Sequence, residues 1–180
     1  MPTLWFKQYP RTILEQSARL AVQCQKEWAT GKNLPWGISE AAYSAQDAAG
    51  HYQYRAFGVP ALALNPISNE DVVLSPYATF LALAIDPHQA VQNLQHMKDM
   101  NWLGELGFYD AADFAPARIA PEEGYKLVRC WMAHHQGMSL LAVCNLLTDG
   151  AIQKLFHSEP AICATELLLH EKVLPVTNPK

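Results

Sequence analysis

Two acidic residues, Glu40 and Asp110, each lie in an irregular segment rich in aromatic side chains. Residues 35–43 read PWGISEAAY, and residues 107–110 read GFYD. Glycoside cleavage needs two carboxyl groups flanking the scissile bond, one as the acid and the other as a base or nucleophile. The aromatic rings nearby, such as Trp36 and Tyr43, would offer flat apolar faces with polar edges to a polar ligand. The pattern is therefore compatible with a carbohydrate site in which Glu40 and Asp110 form the carboxylate pair.

A structural interpretation of each carboxylate stays open at this point. Glu40 follows Ser39 near a possible short helix over residues 40–49, where an acid in the first turn would meet the positive end of the helix dipole. Asp110 could instead make a local hydrogen bond within a turn. The separation of the two carboxyl groups does not follow from the sequence.

Three consecutive polar residues, His134, His135 and Gln136, interrupt a strongly apolar stretch. Unpaired burial of such groups would cost about 1–3 kcal/mol each, so they must find partners. A hydrogen-bonded core network and the floor of a polar pocket both fit. A shared metal ion is disfavoured because adjacent helical side chains point about 100° apart. No metal and no other cofactor is expected.

A further polar segment, residues 47–55, interleaves Asp47 and Arg55 with Tyr52 and Tyr54. It could be a short strand with one polar face or a loop that hydrogen-bonds a hydroxyl-rich ligand. A nucleophilic Cys130–His134 pair is disfavoured, because Cys130 lies among apolar residues that keep a thiol unreactive.

The elements that must position these groups are predicted to be helices. Apolar residues recur at three- and four-residue steps over residues 11–30. Ser75-Pro76 and Asp86-Pro87 each pair a capping side chain with proline at the first helical position. A long apolar helix is predicted from Pro121 to about Leu147, and a last one over Ala161–Glu171. The only β-like run, residues 71–74, is too short for a sheet. We therefore predict an all-α fold of about six helices with two long aromatic-rich loops.

Composition narrows the class of protein. The 180 residues carry 13 Lys+Arg against 17 Asp+Glu, and half of the chain is hydrophobic. This excludes a disordered chain and argues against a nucleic-acid partner, which would need a basic surface. No apolar run approaches the roughly 18 residues of a membrane span, so a soluble location on the cytoplasmic side is expected.

Taken together, the motifs resemble the glycoamylase-like (transglycosylase) domain of cyclic β-1,2-glucan synthases. The resemblance starts at about residue 34 and runs in the same order along nearly all of the remaining chain. Its segments are PWGISE (35–40), YQY (52–54), FGVP (57–60), SPYAT (75–79), GFY (107–109), MAHHQGM (132–138) and ATELLL (164–169).

The resemblance implies an (α/α) toroid that cuts β-1,2-glucan and transfers the chain to close a ring, within a large synthase of the bacterial inner membrane. It implies Glu40 as the first catalytic carboxylate and Asp110 as the second. The substrate-binding residues that we expect are Trp36, Tyr43, Asp47, Tyr54, Tyr109, His134, His135 and Gln136.

Two departures qualify this expectation. The cyclic-glucan enzymes typically carry Glu after Gly-Phe-Tyr, and Asp110 leans towards hydrolysis or an altered geometry. A toroid of about twelve helices needs on the order of 200 residues or more, so residues 1–180 are expected to form one region, the C-terminal half of the domain. Such a half would expose apolar surface and self-associate. Alternatives are an inactive glucan-binding or structural half that needs its N-terminal partner, a hydrolytic β-1,2-glucanase-type domain, and a helical interaction module.

Overall fold

The computed structural model describes residues 1–64, 66 and 68–172, and both helices and short strands occur in them. The α-helices of these residues are α1 (Ile13–Thr30), α2 (Pro76–Leu81), α3 (Pro87–Asp99), α4 (Ala133–Leu147), α5 (Ala151–Phe156) and α6 (Pro160–Thr165). Short 3-10 helices cover Pro2–Leu4, Pro60–Leu62, Ala82–Ala84 and Glu166–His170. The strands are β1 (Ala41–Gln46), β2 (Tyr52–Arg55), β3 (Val73–Leu74), β4 (Leu103–Gly104), β5 (Gly107–Phe108), β6 (Ala111–Asp113) and β7 (Lys126–Val128).

The helix starts predicted at Ser75-Pro76 and Asp86-Pro87 are confirmed in place, although only one by the predicted cap. Asp86 caps α3, because its carboxylate accepts the N–H of Gln89 at 3.2 Å. Ser75 precedes α2, but its hydroxyl donates to the carbonyl of Asp110 at 2.5 Å instead of capping the helix. This hydroxyl therefore joins α2 to the segment that carries the second candidate carboxylate.

Two segments that were predicted to be helical contain strands. The all-α prediction is therefore correct for the number of helices in the described residues but wrong in leaving out strands. Residues 40–49 form β1 and the start of a hairpin with β2, in which Ala42 lies opposite Tyr54. The long helix predicted from Pro121 begins only at Ala133, and β7 occupies part of the segment before it. The predicted last helix ends at Thr165 and continues as a 3-10 turn.

A three-stranded antiparallel sheet, in the order β3-β6-β7, lies in the main core. Its residues Val73, Leu74, Ala112 and Val128 are completely buried. The hairpin strand β1 packs against this sheet through Ala41 and Ala42, whose small side chains allow a close approach. Two buried side chains complete the contact, since the carboxylates of Asp110 and Asp113 accept the N–H groups of Ala42 (2.9 Å) and Ser44 (3.0 Å).

A second core cluster joins the N-terminal segment, α1 and α4, and it contains Trp36. The backbone at this point is fixed by Asn93 and Thr79, whose side chains donate to the Trp36 carbonyl at 2.6 and 2.9 Å. The next residue, Gly37, has φ +127°, and a Cβ there would lie 2.6 Å from the Thr79 hydroxyl. Only glycine fits this approach to α2.

The described helices include none long and apolar enough to cross a bilayer.

Candidate active site

Glu40 lies immediately before β1 with its side chain exposed to solvent. Its backbone is held by Tyr77, whose hydroxyl donates to the Glu40 carbonyl at 3.1 Å and lies 2.7 Å from the Ser39 hydroxyl. A strand, not a helix, follows Glu40, so the interpretation as a helix-capping carboxylate is wrong. The result is a carboxylate on a rigid backbone that faces water.

Asp110, unlike Glu40, is buried, since only 2% of the residue is exposed. One oxygen lies 2.6 Å from Nδ1 of His135, and the other accepts the N–H of Ala42. Its own N–H donates to the carbonyl of Cys130, which ties the β5–β6 connection to the segment before α4. These partners are distant in sequence, so the interpretation as a local turn residue is wrong.

His134 and His135 lie in the first turn of α4, and their rings converge with centroids 4.1 Å apart. Nε2 of each ring lies 3.2 Å from the hydroxyl of Tyr54 on β2. Tyr77 stacks on His135 at 3.7 Å with an interplanar angle of 10°. The expectation that adjacent histidines diverge is wrong here, because side-chain torsions bring the ring tips together although the Cα–Cβ bonds do not point the same way.

Glu40 joins this cluster from the solvent side. A carboxylate oxygen of Glu40 and one ring nitrogen each of His134 and His135 lie within 4.8 Å of one another. His135 is thus in contact with Asp110 on its Nδ1 side and close to Glu40 as well. The structure therefore brings both candidate carboxylates to one imidazole. The side chains of Glu40, His134 and His135 are also the group among the described residues that could hold a metal ion.

The local electrostatics keep two neighbouring groups protonated. Burial, together with the charges of Glu40 and Asp110, raises the pKa of Tyr54 to about 12. Burial also raises the pKa of Tyr77. Both hydroxyls therefore remain hydrogen-bond donors at neutral pH. Burial and the charge of Asp110 raise the pKa of Cys130 to about 11, which disfavours a thiolate nucleophile.

Tyr109 and Gln136 lie beside the cluster. The Tyr109 ring packs on Trp131 with centroids 5.2 Å apart, and it lies so close to Gly104 that a Cβ there would be 2.7 Å from the ring. Gln136 donates to the carbonyl of Phe108 at 3.1 Å and so supports the same loop. Trp131, which is 37% exposed, and Tyr77 are two site residues that the sequence reasoning did not select. In the sequence, Trp131 is marked only by its place next to the histidine motif, and Tyr77 only by its place after Ser75-Pro76.

Three expected substrate-binding residues do not join the cluster. Trp36 is 9% exposed within the second core cluster, so it offers little ring surface to a ligand. Tyr43 packs between the guanidinium groups of Arg55 and Arg118, each 5.0 Å from its ring centre. Asp47 is exposed in the β1–β2 turn, where the N–H groups of residues 49 and 51 donate to it and lower its pKa.

An open cleft of about 610 Å³ runs beside the far part of the β1–β2 hairpin. Its wall is mostly polar, and Arg129, which lines it, also lies 6.0 Å from the centre of the Tyr109 ring. The cleft therefore reaches towards the aromatic pair next to Asp110. It is lined by Ser44, Gln46, Tyr52, Glu123, Tyr125, Lys126, Leu127 and Arg129.

Comparisons with known proteins show what the chain is similar to. The chain is 42% identical over 172 residues, 96% of its length, to the cyclic beta-(1,2)-glucan synthase NdvB of Rhizobium meliloti (strain 1021), but it spans only 6% of that protein. Two solved structures share the fold over 81% of this chain and 32% of their own. They are a "putative glucoamylase" from Bacteroides caccae (TM-score 0.56, 22% identity) and the endo-beta-1,2-glucanase from Chitinophaga pinensis in complex with sophorotriose and glucose (TM-score 0.54, 24% identity).

A family model, Glycoamylase, described as "Putative glucoamylase", matches residues 2–160. Because that match covers most of the chain and runs through every residue of the cluster around His135, the chain belongs to the Glycoamylase family.

Proposed function

We propose that this chain carries the catalytic carboxylates of a β-1,2-glucan-cleaving site, with Glu40 as the acid. The observation that carries the proposal is the exposed carboxylate of Glu40 next to an imidazole whose other side is bonded to buried Asp110. The substrate class is proposed from the similarity to a cyclic β-1,2-glucan synthase and to an endo-β-1,2-glucanase.

The geometry suggests a division of labour between the two carboxylates. Glu40, in its protonated form, donates a proton to the glycosidic oxygen as the C–O bond breaks. Asp110 accepts the Nδ1–H of His135, so the lone pair of Nε2 faces the cluster and takes the proton of the attacking hydroxyl. Asp110 thus acts through His135, which is itself only 1% exposed but whose ring lies beside the exposed side chains of Glu40 and His134. Tyr54 and Gln136 position the two histidines and the adjacent loop, respectively.

The attacking hydroxyl decides between hydrolysis and ring closure. With water, a single displacement assisted by His135 would release a shortened glucan with inverted anomeric configuration. Such a displacement needs an acid and a base about 6.5–9.5 Å apart, whereas the donor atoms of Glu40 and His135 lie within 4.8 Å of each other, so the two side chains would have to separate to admit water. Transfer that regenerates a β-1,2 bond must retain the configuration, and this requires a carboxylate nucleophile about 5–5.5 Å from the acid. The buried Asp110 favours hydrolysis, whereas the 42% identity to a cyclic glucan synthase favours transfer as the second candidate.

The test is incubation of the chain with linear β-1,2-glucan, followed by chromatography of the products and NMR of the newly formed anomeric centre. We expect Glu40→Gln to lower turnover by about 10²–10⁴-fold, the usual contribution of a general acid. Asp47→Asn, a carboxylate outside the cluster, is the matched control and should leave turnover unchanged. If Glu40→Gln cleaved the glucan as fast as the original chain does, Glu40 would have no catalytic role.

We further propose that the chain forms the C-terminal half of an (α/α) toroid and requires the other half for full activity. The solved relatives are about three times as long as the part they share with it. Leu140 and Leu147 on α4 and Leu155 on α5 are at least 70% exposed, as expected for helices that lack a neighbour. We expect light scattering to show self-association, and added N-terminal half to disperse it and raise turnover. A monodisperse monomer with full activity would contradict this proposal.

A further inference from the structure

Three side chains of the site carry the donor types that bind transition metals. The donor atoms of Glu40, His134 and His135 lie within 4.8 Å of one another. Two imidazoles and a carboxylate form a common ligand set for tetrahedral Zn²⁺, with bonds of about 2.0–2.2 Å. Such bonds place donor atoms roughly 3.4 Å apart, so small rotations of the side chains would complete the site.

His135 is held in the orientation that a metal ligand requires. Its Nδ1 lies 2.6 Å from the buried carboxylate of Asp110, so in the neutral ring the Nδ1 proton is donated and Nε2 keeps its lone pair. A carboxylate behind the imidazole is the usual support of a metal-binding histidine. Nε2 of His135 and Nε2 of His134 both lie 3.2 Å from the Tyr54 hydroxyl, so the two donors face one point.

An ion would enter from the side of Glu40 and His134, whose side chains are exposed, whereas His135 is buried and offers only the ring nitrogen that does not face Asp110. The argument for expecting no metal depended on divergent adjacent histidines, and the converging rings remove it. The fourth position of a tetrahedral ion would be open to water or to the Tyr54 hydroxyl.

We propose that Glu40, His134 and His135 bind a divalent transition-metal ion of the Zn²⁺ type and that this ion inhibits the site. Inhibition follows because the ion occupies the carboxylate oxygen and the Nε2 lone pair that would handle protons in glycoside cleavage. Only this inhibitory part rests on the proposed function. Nitrogen-rich donors select Cu²⁺, Zn²⁺, Ni²⁺ and Co²⁺ over Mg²⁺ and Ca²⁺, so the latter two ions should neither bind nor inhibit.

The binding test uses the metal alone. The metal-free 180-residue chain is titrated with Zn²⁺ by calorimetry and with Co²⁺ by visible absorption, which reports tetrahedral coordination. His134→Ala and Glu40→Gln should each weaken binding by more than about 10-fold, the smallest loss typical even of a supporting residue. His88→Ala, an exposed histidine on α3, is the control and should bind as the original chain does. Unchanged affinity in both site variants, or a Co²⁺–thiolate absorption band, would overturn the proposed site.

A second measurement separates this inference from the proposed function. If glucan is cleaved, Zn²⁺ should suppress cleavage and a chelator should restore it. Zn²⁺ binding in a chain that shows no glucan cleavage, even with the N-terminal half added, supports the metal site and counts against the function. Glucan cleavage that saturating Zn²⁺ does not reduce supports the function and overturns the inhibition.

Discussion

Asp110 and Asp113 are three residues apart, and both bury a carboxylate against β1, but they have different partners. Asp110 faces an imidazole, His135. Asp113 is completely buried and forms two bonds with the Arg118 guanidinium, at 2.7 and 2.9 Å, and Arg118 also pairs with Asp71. Each also accepts a backbone N–H of the same strand.

Under the proposed function, the difference separates a structural carboxylate from a functional one. A guanidinium keeps its charge throughout the working pH range and holds a carboxylate in a fixed geometry, so Asp113 holds β1 in place. An imidazole can gain or lose a proton near neutral pH, so Asp110 can direct a proton as well as hold β1. Burial alone does not distinguish the two residues, but the partner does.

The largest expected effect comes from Asp110→Asn. The amide keeps the size of the side chain but can donate to Nδ1, which moves the His135 proton to Nε2 and removes the base. We expect glucan turnover to fall by about 10²–10⁴-fold, while the free energy of unfolding falls by about 1 kcal/mol. Nitrogen NMR of the imidazoles would report the changed tautomer. A purely structural Asp110 would instead lower both quantities without any change of tautomer.

Asp113→Asn should show the reverse pattern. It leaves the partly buried Arg118 without its main partner, and breaking buried ion pairs costs about 3–5 kcal/mol. Because Asp71 still pairs with Arg118, we expect a loss near the lower end, about 3 kcal/mol, in denaturant unfolding. Turnover per folded molecule should change little. A strong loss of turnover with normal stability would break the distinction between the two carboxylates.

The smallest effect concerns acid stability. The bonds from Arg118, Ala115 and Ser44 outweigh burial and lower the pKa of Asp113. Its contribution to folding is therefore complete above the unfolded value of about 3.9 and is lost as pH falls through the lower folded value. We expect the stability difference between the original chain and Asp113→Asn to shrink below about pH 4. A difference that stays constant at acid pH would contradict this assignment.

The sequence predicted those features of the fold that depend on neighbours in the chain. Three helices, which begin at Ile13, Pro76 and Pro87, are found near the predicted positions. Each start is marked locally by a capping residue, a proline or both. The helix predicted over residues 40–49 is wrong, because β1 is held by carboxylates from distant positions, Asp110 and Asp113. No local pattern carries that information, and a run of small and polar residues is then equally compatible with a helix.

The same limit applies to the site. The residue types directed attention to Glu40, Asp110 and the His134–His135 pair, and the structure brings these side chains together. Trp36 was selected because it lies close to Glu40 in sequence and Asp47 because of the family resemblance, but the structure places one in the core and the other at the hairpin turn. Proximity in sequence does not determine which side of a strand or turn a side chain occupies.

The contrast between two glycines bears on how the open cleft beside the β1–β2 hairpin could change in evolution or by engineering. Gly37 lies just before Glu40, where an added methyl group would meet α2, whereas Gly50 in the hairpin turn has no atom within 4 Å of its would-be Cβ. The hairpin thus has a crowded base and a free tip. Insertions at the tip would therefore extend the wall of the cleft without displacing Glu40.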